Sequence, residues 1–145
     1  MNWKSEAVEK LRQYEAKKNA LQSIPEEIER LESAMVSIRS STSDGTPVAG
    51  GGSRREEMLL NNIVLREELA RALEQAKKWV ATVASGLEVL SAEERLILDR
   101  CFINPEKGSV ERLAEELGVD VKTAYRRRYD ALHHFTVCLY GVTES

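Results

Sequence analysis

Two cysteines, two histidines, three prolines and 6% aromatic residues among 145 set the first limits on this chain. Two thiols cannot build the disulfide framework of a small secreted domain. Cys101 and Cys138 stand in no metal-ligand spacing, and both fall at apolar positions of predicted helices, so both are read as buried free thiols. His133 and His134 are neighbours and would point about 100° apart on a helix, which denies them the i, i+4 geometry of a shared metal site. No metal or other cofactor is expected. Nor is an enzyme, because no nucleophile has a base at a recognisable spacing and no carboxylate pair falls in a predicted cleft. No apolar run approaches the ~20 residues that span a bilayer. The N-terminus turns charged at once, where a secretory leader would place its apolar run. The reading is a cytoplasmic protein with no membrane partner. Runs of β-branched residues are scarce as well, which makes all-α the expected fold class.

What the chain does have is charge and heptads. Charged residues make up 31% and hydrophobic residues 42%, enough for one ordinary core or a small domain with a helical extension. Over residues 1–39, Trp3, Ala7, Leu11 and Tyr14 recur at spacings of 4, 4 and 3. Leu21, Ile24, Ile28, Leu31, Met35 and Ile38 then recur at 3, 4, 3, 4 and 3, a regular seam. Pro25 would remove a hydrogen bond from a helix interior, and Ser23 with Glu26 reads as a capping box, so a break is expected near 22–25. Residues 40–53, small, polar and glycine-rich, read as a flexible linker. The triple glycine there has no strand before it and no lysine followed by serine or threonine after it, which argues against a phosphate loop.

Residues 54–90 read as a second long helix, with Leu69, Leu73, Ala76, Val80, Val83, Leu87 and Leu90 at 4, 3, 4, 3, 4 and 3, extended upstream by Met58 and Leu65. The two seams fit an antiparallel hairpin within the chain. They fit equally an oligomeric coiled coil between chains. Asn62 lies along this face and is read as an exposed residue near a helix end.

At residues 91–141 the pattern changes to three shorter helices. Ser91 and Glu94 form a capping box, and Leu96, Ile97 and Cys101 to Ile103 give the first helix its buried face. After the turn Asn104-Pro105-Glu106-Lys107-Gly108, Ser109 can cap a second helix with the apolar stripe Val110, Leu113, Ala114 and Leu117. Gly118 suits a left-handed helix end, Val119 plugs the turn, and Asp120 caps the third helix over 120–140. On that helix Ala124, Ala131, Leu132, Phe135 and Leu139 share the packed side. Lys122, Thr123, Arg126, Tyr129 and His133 lie opposite, with Tyr125 at the border and Arg128 turned toward the packed side.

This pattern is a helix-turn-helix, and 90–140 resembles region 4 of the sigma-70 class of transcription factors. It is still more similar to the small phage-encoded late-gene regulators of the ArpU and RinA type. The resemblance is carried by Leu90-Ser91-Ala92-Glu93-Glu94-Arg95, by Leu113-Ala114-Glu115-Glu116-Leu117-Gly118-Val119, and by Thr123-Ala124-Tyr125-Arg126-Arg127-Arg128 with Ala131-Leu132. Arg128 departs from it, since sigma-like domains commonly hold an apolar residue there. The resemblance implies a phage or prophage transcription regulator acting on late or packaging genes, with double-stranded DNA and RNA polymerase as partners.

Lys122, Thr123, Tyr125, Arg126 and Tyr129 are the expected base contacts, and Arg127 and Arg128 the expected phosphate contacts. A net charge of −3 argues against strong nonspecific binding, but Lys122 and Arg126 to Arg128 concentrate positive charge on one helix. Two further classes stay open: a small terminase subunit that recognises phage DNA for packaging, and a sigma-like protein-binding adaptor that never touches DNA. A homo-oligomer through the long helices is compatible with each.

Overall fold

The computed structural model describes residues 1–40 and 51–142 and is all-α, with no strand among the described residues. Helices α1 (Trp3–Arg12), α2 (Tyr14–Ser40), α3 (Gly51–Glu88), α4 (Ala92–Leu98), α5 (Ser109–Leu117) and α6 (Val121–Tyr140) follow one another, α4 being prolonged by a π-helical turn over Asp99–Ile103. The chain divides into two compact units, one made of Met1–Lys17 with Lys78–Ser145, the other of Lys18–Lys77.

The expected helix break near 22–25 is not there. Helix α2 runs through Pro25, and the interruption falls earlier, at Gln13, which closes α1. The seam explains why. Leu21, Ile24, Ile28 and Leu31 keep one register across the proline, so a break would have to turn the second half of the stripe away from its partner. One lost backbone hydrogen bond is tolerated instead. The linker expected over 40–53 lies outside the described residues except at its ends, where Ser40 closes α2 and α3 begins at Gly51.

In the Lys18–Lys77 unit the two helices pair within the chain at Leu31 and Asn62, whereas Met58 and Leu65, expected on the same face, are 48% and 47% exposed. The Asn62 side-chain amide donates to the Leu31 carbonyl at 2.8 Å, and Arg55 donates to the Arg39 carbonyl at 3.4 Å. One partner number rises as the other falls, so the helices run antiparallel. Asn62 is therefore not an exposed residue near a helix end: it is 5% exposed, and its carbonyl oxygen accepts from Arg66 at 2.9 Å. An exposed asparagine was expected because seam position alone does not show whether a carbonyl waits across the interface. Burial satisfied from both ends is what makes it tolerable.

The other unit holds the main core. Ala7 and Leu11 of α1, Val83 of α3, Ile97 and Leu98 of α4, Leu113 of α5, and Ala124, Ala131 and Phe135 of α6 are each at most 2% exposed. Helix α1, assigned by its spacing to an N-terminal segment, is thus part of the C-terminal domain. Asn2 caps it by accepting from the Ser5 amide at 3.0 Å, and Trp3 packs on Tyr140 with ring centroids 4.7 Å apart. Trp79 of α3 donates its indole N–H to the Lys10 carbonyl at 3.1 Å, with the Lys10 and Lys17 ammonium groups over its ring. These contacts clamp α1 at both ends.

Ser91 and Glu94 form the expected capping box, both bonds being present. The π-helical turn that follows closes with the Asn104 amide donating to the Asp99 carbonyl at 2.8 Å. Cys101, Phe102 and Ile103 are all buried there. Three consecutive side chains on a tight α-turn spread over some 200° of the helix surface, and the wider turn meets a core that surrounds them. Cys138 corrects another expectation. It is exposed, and only Cys101 is a buried thiol.

Candidate nucleic-acid interface

Helix α5 starts at Ser109, but its cap is Gly108 at φ +73°, so Ser109 is the first helical residue and not the cap. At the other end Gly118 adopts φ +68°. The Val119 amide donates to the Ala114 carbonyl at 3.0 Å and the Gly118 amide to the Glu115 carbonyl at 3.2 Å, the paired bonds of a Schellman end. Asp120 then accepts from the Thr123 amide at 2.8 Å. Hydrogen bonding from the Thr123 hydroxyl, and then from its amide, holds the Asp120 carboxyl below the usual aspartate range, with the nearby Arg126 charge a smaller influence. The capping charge and the positive end of α6 thus stabilise each other. These local bonds fix the direction in which α6 leaves the turn.

Ala124, Ala131 and Phe135 bury one side of α6, and Leu132 and Leu139 pack against the same core. On the opposite side Lys122, Tyr125, Arg126, Tyr129 and His133 are exposed, with Tyr125 at 49% and Tyr129 at 57%, while Thr123 is half-buried beside the cap it closes. Among the described residues no carboxylate lies within 4 Å of the Lys122 or Arg126 cation. Two flexible cations and two large aromatic rings therefore meet solvent on the first three turns of a helix that follows a tightly closed turn.

Arg127 and Arg128 are placed differently. Arg127 pairs with Glu93 of α4 at 2.6 Å. The Arg128 guanidinium lies 4.8 Å from the centre of the Phe102 ring, its residue half-buried. Its charge works against burial, which raises the Cys101 thiol pKa overall. Two helical turns beyond Arg127 on the same face, His134 Nδ1 is hydrogen-bonded to Glu94 Oε2 at 2.7 Å. Glu94 is partly buried, which works to raise its pKa, but the Ser91 amide, His134 and the Ser91 hydroxyl outweigh this and hold it below the usual glutamate range. Two adjacent carboxylates at the start of α4 thus fasten one flank of α6.

One residue of this surface had no signal in the sequence. Lys4 of α1 donates to the Tyr129 hydroxyl at 2.6 Å, with its ammonium 3.9 Å from the ring centre. The two residues lie 125 positions apart, and nothing in the local pattern around Lys4 points to α6.

Compared with family models, with curated proteins and with solved structures, the chain matches none. Function is therefore read from the side chains themselves.

Proposed function

We propose that the protein is a sequence-specific DNA-binding transcription regulator that reads duplex DNA with the N-terminal half of α6. The observation that carries this reading is the free pair Lys122 and Arg126, exposed beside Tyr125 on a helix whose exit from the turn is fixed by the Schellman bonds and the Asp120 cap. A recognition helix presents its first turns to base edges in the major groove. There Arg126 can pair bidentately with guanine and Lys122 can reach the same acceptors, each good contact contributing about 1–3 kcal/mol of discrimination. Tyr125 offers a ring to thymine methyl groups and a hydroxyl to base edges, and Thr123 stands next to the groove floor. Arg127 and Arg128 flank this face where phosphates come within reach. Each already has a protein partner, so each contributes less than a free cation would.

The similarity to region 4 supports placing the protein among phage or prophage late-gene regulators, in the cytoplasm and with RNA polymerase as a second partner. One recognition helix reads one half-site, and two linked copies read two. The exposed Met58, Leu60, Val64 and Leu65 of α3 are the side chains through which copies would associate.

The test is selection of duplexes from a random pool, followed by fluorescence anisotropy on the selected and a scrambled duplex across a salt series. Selective binding that weakens with salt, and that falls at least ~10-fold in Lys122→Ala/Arg126→Ala, is the expected result, since tenfold corresponds to about 1.4 kcal/mol. No binding to any duplex at low salt would sink the proposal and leave the adaptor reading. A ring stoichiometry by sedimentation would favour the packaging role.

A further inference from the structure

We infer that α1 takes part in the DNA interface, with Lys4 and Tyr129 together forming a two-donor clamp for a backbone phosphate at the edge of the groove that α6 enters. This rests on the proposed DNA-binding function and goes beyond it. Neither α1 nor any phosphate contact by Tyr129 follows from a helix-turn-helix pattern.

Three observations place the clamp. Lys4 is half-buried, and its ammonium gives one proton to the Tyr129 hydroxyl at 2.6 Å, while among the described residues no carboxylate lies within 4 Å to neutralise it. An ammonium carries three donors, so two remain for an acceptor. The Tyr129 hydroxyl accepts from Lys4 and so keeps its own proton to donate outward, and its ring is 57% exposed and stacked against His133 at 6.3 Å between centroids. The donors are held in place. Helix α1 is pinned by Ala7 and Leu11, both wholly buried, and by the Trp3–Tyr140 contact, so the Lys4 backbone is fixed relative to α6.

Spacing supplies the target. Tyr129 lies two turns beyond Lys122 on the same face, ~10 Å along the axis at 1.5 Å per residue. The major groove is about 12 Å wide. With Lys122 and Arg126 against base edges, Tyr129 and Lys4 therefore meet the sugar–phosphate rim and not another base pair. A cation and a hydroxyl converging on one anionic oxygen pair are the chemistry of phosphate holding, which fixes the position of the helix without reading sequence. Tyr129, expected from the sequence to touch bases, becomes a phosphate ligand in this arrangement.

The test compares wild type, Lys4→Ala, Lys4→Arg, Tyr129→Phe and Lys122→Ala/Arg126→Ala by anisotropy on selected and scrambled duplexes over a salt series, with thermal melting of each variant alongside. Lys4→Ala should weaken both duplexes by a similar factor, about 3- to 10-fold, and lower the slope of log K against log salt by about one, as expected when one phosphate contact is lost. Lys4→Arg should keep the slope. Tyr129→Phe should weaken binding with the slope unchanged, because it removes a donor and no charge. A purely structural role for Lys4 would lower the melting temperature and leave the slope alone. Binding that is sensitive to Lys122→Ala/Arg126→Ala but unchanged in affinity and slope by Lys4→Ala overturns the clamp while leaving the DNA reading intact. Absence of duplex binding by wild type overturns both.

Discussion

Gly86 of α3 lies directly against Phe135 of α6: a methyl group at position 86 would sit 2.8 Å from Phe135 Cε2 and 2.9 Å from Leu139 Cδ2. Phe135 has no exposed surface into which it could retreat. The missing side chain is what lets α3 cross α6 closely. Gly86→Ala should therefore be destabilising although alanine is the better helix former by about 1 kcal/mol. Overpacking typically costs ~1–3 kcal/mol, so the net loss should be about 1 kcal/mol, read as a lower urea midpoint. Phe135→Leu in the Gly86→Ala background should recover part of it through coupling of the two sites. A raised midpoint for Gly86→Ala would show that the crossing is looser than described.

Gly118 isolates a different cause. Its φ is +68°, yet a methyl group there would meet nothing within 4 Å. Any penalty is conformational, with no contribution from packing. Gly118→Ala should cost about 1–2 kcal/mol, the usual penalty for a side chain in the left-handed region, and Gly118→Asn should cost less. Chemical denaturation of the two variants checks the order. Equal stability of all three proteins would mean that the turn relaxes to another geometry.

The Glu94 carboxyl sits below its ordinary value because accepting from the Ser91 amide, His134 and the Ser91 hydroxyl outweighs its partial burial. A carboxyl with a lowered folded pKa contributes stability that is complete above its unfolded value and is lost as pH falls through the folded one. The loss should thus begin below the ordinary glutamate value of 4.5 and be complete once pH has passed the lowered value. Glu94→Gln removes this titration. Its melting temperature should be lower than wild type near neutral pH and should converge on wild type in acid. Parallel curves from neutral pH to pH 3 would dismiss the Ser91–Glu94–His134 cluster as a source of acid sensitivity.

What the chain revealed in advance follows from how local each determinant is. The α5 stripe, the left-handed Gly118 and the Asp120 cap are set by residues within a few positions of each other, and periodicity exposed them. The same holds for the Ser91–Glu94 box. Pro25 misled because its local effect was given more weight than the seam that runs across it. Asn62, Lys4 and the Glu93–Arg127 pair depend on partners 31, 125 and 34 positions away, distances over which a helical pattern carries no information. That α1 packs with residues 78–145 was hidden for the same reason. An apolar stripe tells that a face is covered and leaves open by what.

The two cysteines show how one helical stripe can hide opposite environments. Cys101 is enclosed by the core, and burial raises its thiol pKa against the opposing pull of the Arg128 charge. Cys138 is exposed on α6, and its thiol is also raised, first by partial burial and then by the nearby Glu94 carboxylate. Since the thiolate is the reacting species, both shifts slow alkylation at neutral pH, but only Cys138 can be reached in the folded protein. Treatment with iodoacetamide should modify Cys138 alone, slowly near pH 7 and faster as pH rises toward 9, with Cys101 labelled only on unfolding in denaturant. Peptide mass mapping distinguishes the two sites. Glu94→Gln should speed Cys138 modification at fixed pH by removing the neighbouring negative charge. Equal labelling of both thiols under native conditions would mean that the π-helical turn opens readily and that Cys101 is not held within the core.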